Sequence, residues 1–341
     1  MATSSATPLK FLMPGWFSLV MGLCGLALAW RAGEAALGEM ATGAALVLSG
    51  VALLVFLVLA AASLLRWQRY PQALEEDLKH PVRHAFVATV PVSLLLLATC
   101  GHALGLQGAV LQTIWWAGSV LQLWATLWVL GRWLAPMPNA GTSAQAGALW
   151  PGVTPVLFIP VVGNVVAPLA GVGLGHEVWS AAQLGIGMLF WPVVLVLVLT
   201  RRLAHSPLPE RLLPTWFITV APPAVIGLGM LQFQAPAWVA QGFWGVALFN
   251  LLWVGAQAKR MAGQPFGVAF WALSFPLAAF TALTLRLAAL HNLSAMQTTG
   301  MLMLAVTSLV VVGLVLATVR GLRNGSLLAP EPVANIIPAS A

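Results

Sequence analysis

Apolar residues run through the chain in ten stretches of about twenty, divided by short polar connections, and five of the stretches enclose a proline: Pro14, Pro91, Pro160, Pro222 and Pro276. Proline-bearing and largely proline-free stretches alternate. Each is long enough for one helical crossing of a bilayer core. The pattern predicts spans at Leu12 to Trp30, Ala41 to Leu65, Ala85 to Leu104, Val110 to Leu134, Val153 to Gly173, Trp179 to Leu203, Leu213 to Phe233, Ala237 to Ala256, Gly267 to Leu290 and Thr298 to Thr318. Proline removes a backbone donor and clashes with the carbonyl one turn earlier. Lipid-buried backbone tolerates this only beside compensating neighbours or a wet cavity. The five prolines are therefore expected to kink helices that face inward.

Composition and charge fix the setting. Hydrophobic residues make up 60% of the 341 and charged residues only 7%, against roughly a quarter charged in a soluble domain. The expectation is an all-α integral membrane protein. A net charge of +7 raises the question of a nucleic-acid partner, but the distribution of the charge answers it. With both termini inside, 13 of the 15 lysines and arginines fall on the inner side, leaving Arg31 and Arg286 outside. That is the asymmetry that orients membrane spans, so no nucleic acid is called for. The expected location is the inner, cytoplasmic membrane of the cell, multi-pass, with both termini cytoplasmic and the lipid bilayer as the surrounding partner. Pro14-Gly15 lies early in the first apolar run, which reads as a span rather than a cleaved signal peptide.

Residues 1–11 form a cytoplasmic segment, 12–320 a single transmembrane domain, and 321–341 a Pro- and Ala-rich tail expected to be disordered. The longest polar insertions, Arg66 to His84 with its Glu75-Glu76-Asp77 run and Pro136 to Pro151, fall on the cytoplasmic side. Cys24 and Cys100 lie in apolar runs and read as packing residues.

Repeated hairpins of one orientation arrange around an axis along the membrane normal. Five parallel-repeated helical hairpins then make a ring, with the odd, kinked helices lining a central pore and the even helices facing lipid. Every odd helix begins at the cytoplasmic face. Lys79, Arg83, Arg211, Lys259 and Arg260, together with Lys10, stand near those beginnings, where helix dipoles and fixed cations would form an anion-attracting vestibule. The alternative is that they only mark topology. Near the prolines sit Ser18, Thr89, Asn164, Thr219 and Ser274, which either line the pore and donate to a passing anion or bond nearby backbone carbonyls. Phe17, Phe86, Phe158, Phe217 and Phe275 are the aromatic candidates for a gate. The span interiors hold almost no ionisable group, which favours a channel-like pore over a tight-binding pump. No HExxH, GxSxG or paired intramembrane carboxylates appear, so the sequence calls for no enzyme, cofactor or metal.

Several short motifs carry a resemblance. His80-Pro81-Val82-Arg83, Trp271-Ala272-Leu273-Ser274-Phe275-Pro276, Gly15-Trp16-Phe17-Ser18-Leu19 with Gly22-Leu23, Pro160 with Asn164, and Ala221-Pro222 occur in order. Together they resemble the tellurite-resistance/dicarboxylate transporter family, which includes bacterial TehA proteins and the slow anion channels of plant guard cells. The resemblance covers all ten spans. It implies a homotrimer in which each protomer has its own pore, plugged by a phenylalanine of the ninth span; the matching position is Phe275. The function it implies is a gated anion channel or uniporter for small anions such as chloride, nitrate, a dicarboxylate or an oxyanion. The alternative is a proton-coupled C4-dicarboxylate (malate) carrier or a tellurite or sulfite exporter.

Overall fold

The computed structural model describes residues 8–134, 150–205 and 207–329, and these are helical with no strand among them. Among the described residues nine helices are long and apolar enough to cross a membrane, which makes this a multi-pass membrane protein. They are α1 (Pro14–Ala32), α2 (Glu39–Arg69), α3 (Arg83–Ala103), α4 (Ala109–Leu134), α6 (Glu177–Ala204), α7 (Glu210–Gln232), α8 (Ala237–Gly255), α9 (Val268–His291) and α10 (Ser294–Arg323). The expected fifth span is instead a shorter apolar helix, α5 (Pro155–Gly171). The loop expected at Pro136 to Pro151 lies outside the described residues up to position 149, and the expected tail lies outside them from position 330.

The break in α5 has a local cause. Pro155, Pro160 and Pro168 remove three donors within fourteen residues, and the stretch switches between 3-10 and α conformation at Phe158, Gly163 and Pro168. The neighbouring α4 braces this irregular backbone with side-chain donors. Gln122 Nε2 donates to the carbonyls of Ile159 and Pro160, each at 3.1 Å, Thr126 Oγ1 to Pro160 O at 2.7 Å, and Trp115 Nε1 to Ala167 O at 2.9 Å. Backbone irregularity at membrane depth is tolerable where neighbouring helices supply such bonds.

Inner and outer helices separate by burial. Between 72 and 78% of the most apolar window is buried in α1, α3, α7 and α9, against 17 to 39% in α2, α4, α6, α8 and α10. Large apolar side chains such as Leu54, Leu127, Leu189, Phe249 and Leu309 stand exposed on the second group, as a lipid-facing surface requires. Each inner segment packs on the outer helix that follows it, and α1 packs on both α3 and α9. The α1–α9 contact is closest at Gly22 and Gly25. A Cβ at Gly22 would lie 2.2 Å from Ser274 Oγ, and one at Gly25 would lie 3.0 Å from a Phe275 ring carbon. Small residues let membrane helices approach this way.

At one end of the molecule, arginines close four hairpins in the same manner. Arg66 near the end of α2 donates to Lys10 O at 2.9 Å, Arg132 of α4 to Leu78 O at 2.7 Å, and Arg201 of α6 to Val153 O at 2.8 Å. Arg260, just after α8, bonds the Glu210 carboxylate at 2.9 Å. Each arginine reaches the chain at or just before the start of its own inner segment. Much of the basic charge that sets topology is thus also a strut.

Candidate functional site

All five inner segments begin as 3-10 helix and continue as α: at Pro14–Phe17 then Ser18, Arg83–Ala88 then Thr89, Pro155–Leu157 then Phe158, Glu210–Val220 then Ala221, and Val268–Leu273 then Ser274. A 3-10 helix has three residues per turn, so side chains at i and i+3 eclipse. One face of each segment therefore presents every third residue. In α7 that face is Thr215, Ile218 and Ala221; in α9 it is Ala269, Ala272 and Phe275.

These faces meet. A cavity of ≈ 70 Å³ is lined by all five inner segments: Ser18 and Met21 of α1, Phe86 and Val92 of α3, Phe158, Ile159, Val162, Gly163, Val165 and Val166 of α5, the α7 face with Pro222 and Val225, and Val268, Trp271 and Pro276 with the α9 face. Among the described residues no charged side chain lines it. Ser18 and Thr215 are its two hydroxyls, and both donate to their own backbone, to Gly15 O at 2.7 Å and Leu212 O at 2.6 Å. The Trp271 indole donates outward to Thr318 at 2.9 Å. The space holds a few waters at most.

Phe86, Val268 and Ala269 also border a second, wider cavity of ≈ 580 Å³ at the end where the arginine struts lie. Its wall includes Lys10, Arg66, His80, Arg83 and Arg211, with Glu76 and Asp77. Asp77, 1% exposed, accepts from Arg66 Nη2 at 2.7 Å and Arg83 Nη1 at 2.8 Å. The His80 Nδ1 accepts the backbone N–H groups of Val82 and Arg83, each at 3.1 Å, and so starts α3.

The residues singled out from sequence fall into two groups. Phe275, Phe86, Phe158, Ser18, Pro222 and Pro276 line the narrow cavity, and Arg83 and Arg211 line the wide one. The others lie off both. Phe17 packs edge-on against Phe56 of α2 at 5.5 Å, and Phe217 packs with Val254, Met261 and Leu277. Thr89 donates to the carbonyls of Pro14 and Phe86, Thr219 to Trp216 O and Ser274 to Trp271 O, while the Asn164 amide donates to Thr126 of α4. Pro91, Pro160 and Pro276 are the third residue of their α-helical stretches and Pro222 the second, so they mark the passage from 3-10 to α; Pro14 opens its 3-10 turn.

Lys79 is exposed and pairs with Glu75, whose carboxyl is held below its usual range by that hydrogen bond; Lys259 is exposed, and Arg260 pairs with Glu210. Thr215, Met21, Ile218 and Ala272 were not singled out. Their signal was a spacing of three, which apolar runs hide.

Comparison with known proteins places this geometry. The family model described as voltage-dependent anion channel, SLAC1, matches residues 12–319. An uncharacterized transporter of Methanocaldococcus jannaschii is 28% identical over 80% of this chain and 83% of its own length. An S-type anion channel of Arabidopsis thaliana, SLAH2, is 24% identical over 70% of this chain and 45% of its own. A tellurite resistance protein TehA homolog of Haemophilus influenzae is 24% identical over 77% of each chain.

Proposed function

The chain belongs to the voltage-dependent anion channel family, and from that premise we propose that it is a gated channel or uniporter for small anions, held closed here by Phe275. One observation carries the reading: a narrow apolar cavity bounded by five inner segments shares walls, at Phe86, Val268 and Ala269, with a wide cavity rich in cations. The wide part gathers anions, and the narrow part bars them until it widens. Phe275 is the plug in this reading because it is the aromatic of the α9 face that lines the narrow cavity, and its ring packs against Gly25 of α1. Phe86 and Phe158 complete the apolar collar.

The same reading places five parallel-repeated hairpins in a ring, with α5 and α6 as the third. It puts the wide cavity and both termini in the cytoplasm of an inner-membrane protein, with residues 12–320 as the channel domain and a homotrimer as the assembly. The pairwise packing of inner segments and the basic charge of one end support it. A proton-coupled carrier needs a titratable group on the path. The narrow cavity offers none among the described residues, so coupling would have to use His80, Glu76 or Asp77 of the wide one.

Voltage clamp under a chloride or nitrate gradient tests the proposal. Current that reverses at the equilibrium potential of the anion supports a channel. Solute uptake driven by a pH gradient, with no current, would replace it by the carrier.

A further inference from the structure

Arg83 lines the wide cavity. It is the first residue of the 3-10 stretch of α3, and Phe86, one eclipsed turn later, borders both spaces. Two arginines share Asp77, yet they are occupied differently. Arg66 is 5% exposed, donates from Nε to Lys10 O and from Nη2 to Ala73 O and Asp77, and acts as a strut. Arg83 keeps its side chain 31% exposed and gives only Nη1 to Asp77. Among the described residues neither its Nε nor its Nη2 has an acceptor, and the Nε is covered.

A guanidinium offers two parallel N–H bonds along its Nε/Nη2 edge, a geometry that fits an oxyanion and that a lysine cannot reproduce. Asp77 leaves that edge intact. The Nε is covered in this structure, so the guanidinium must turn about its Asp77 bond to present that edge, and a donor that lacks an acceptor then gains one from the incoming oxygen.

We propose that the Nε/Nη2 edge of Arg83 docks a planar oxyanion, a nitrate or carboxylate, just before the narrow cavity, and that Asp77 holds the guanidinium in register for it. The proposal rests on the anion-channel reading for its place on the path. It sets a preference for forked oxyanions over halides at the mouth, where the apolar collar recognises nothing but size. Asp77 is a positioning residue, and Arg83 is the contact.

Two measurements separate this site from the channel reading. The first is the melting temperature of the purified protein in lipid nanodiscs, in sodium nitrate or formate against sodium chloride at equal ionic strength, for wild type, Arg83→Lys and Lys79→Gln. Comparing variants within each salt cancels the bulk effect of the salt. The expected result is an oxyanion-specific stabilisation in wild type and Lys79→Gln that Arg83→Lys lacks. The second is the nitrate-to-chloride permeability ratio in a Phe275→Ala background, expected to fall about threefold or more in Arg83→Lys. A full oxyanion effect retained in Arg83→Lys, or none in wild type, overturns the proposal. An oxyanion effect on melting without any current leaves the docking site standing and removes the channel.

Discussion

The wide and narrow cavities are neighbours, one helical turn apart at Arg83 and Phe86, and they handle polar groups in opposite ways. In the wide cavity the charges are numerous and partly neutralised against each other: Asp77 binds Arg66 and Arg83, while Lys10 stays exposed. In the narrow one there are no charges, and each hydroxyl donates to the carbonyl three residues back in its own chain. On the proposed reading the first arrangement gathers ions without binding them deeply. The second would present a passing ion with an apolar wall. What the difference teaches is that polar residue types near a pore axis do not by themselves make polar lining; the direction of their hydrogen bonds decides.

Breaking the wide cavity's arrangement has the largest expected cost. Asp77→Ala leaves Arg66 buried with no counter-charge, and loss of one partner of a buried pair costs about 3–5 kcal/mol. Thermal or denaturant unfolding in nanodiscs reads this directly. A melt unchanged from wild type would show that the pair does not hold this end together.

The narrow cavity breaks by steric rather than electrostatic means. Gly22→Ala places a Cβ 2.2 Å from Ser274 Oγ and 2.7 Å from Ser274 Cβ, and overpacking of this kind costs about 1–3 kcal/mol. Because Ser274 precedes Phe275, the same variant is expected to alter gating as well as stability, with open probability read from current noise. If stability falls and current is untouched, the α1–α9 contact is purely structural.

The smallest effect sharpens the contrast most. Thr215→Val removes a hydroxyl from the lining at nearly constant volume. Since that hydroxyl already bonds Leu212 O, conductance is expected to stay within about twofold and stability to fall by about 1 kcal/mol. A large loss of conductance would mean that the Thr215 hydroxyl turns toward the ion in the open state, and the narrow cavity would then be polar when it matters.

The alternation of buried and exposed helices was legible in the sequence because proline placement and apolar length act over a whole span. So was the basic end, since lysines and arginines are counted by side rather than by contact. Three things were not. The apolar length of Val153 to Gly173 suits a span, but length does not register that Pro155, Pro160 and Pro168 withdraw donors or that Gln122, Thr126 and Trp115 of α4 brace the carbonyls of that stretch.

The lining register was hidden because 3-10 and α conformations draw on the same apolar residues, while rotating every third and every fourth side chain to different places. Thr89, Thr219 and Ser274 were visible as polar residues beside prolines, yet local bonding to the 3-10 turn takes their hydroxyls. The Arg66–Asp77 pair had one clue, an acidic run inside an otherwise basic insertion.

The central claim is that Phe275, and not merely a phenylalanine of an inner helix, closes the path. The direct measurement is whole-cell anion current of Phe275→Ala beside Phe17→Ala, which removes the same ring from a residue packed on Phe56 and off the lining. The expected result is current about tenfold or more above wild type in the first, with the second within about twofold. Equal currents in the two variants, whether both raised or both silent at matched surface expression, would contradict the account.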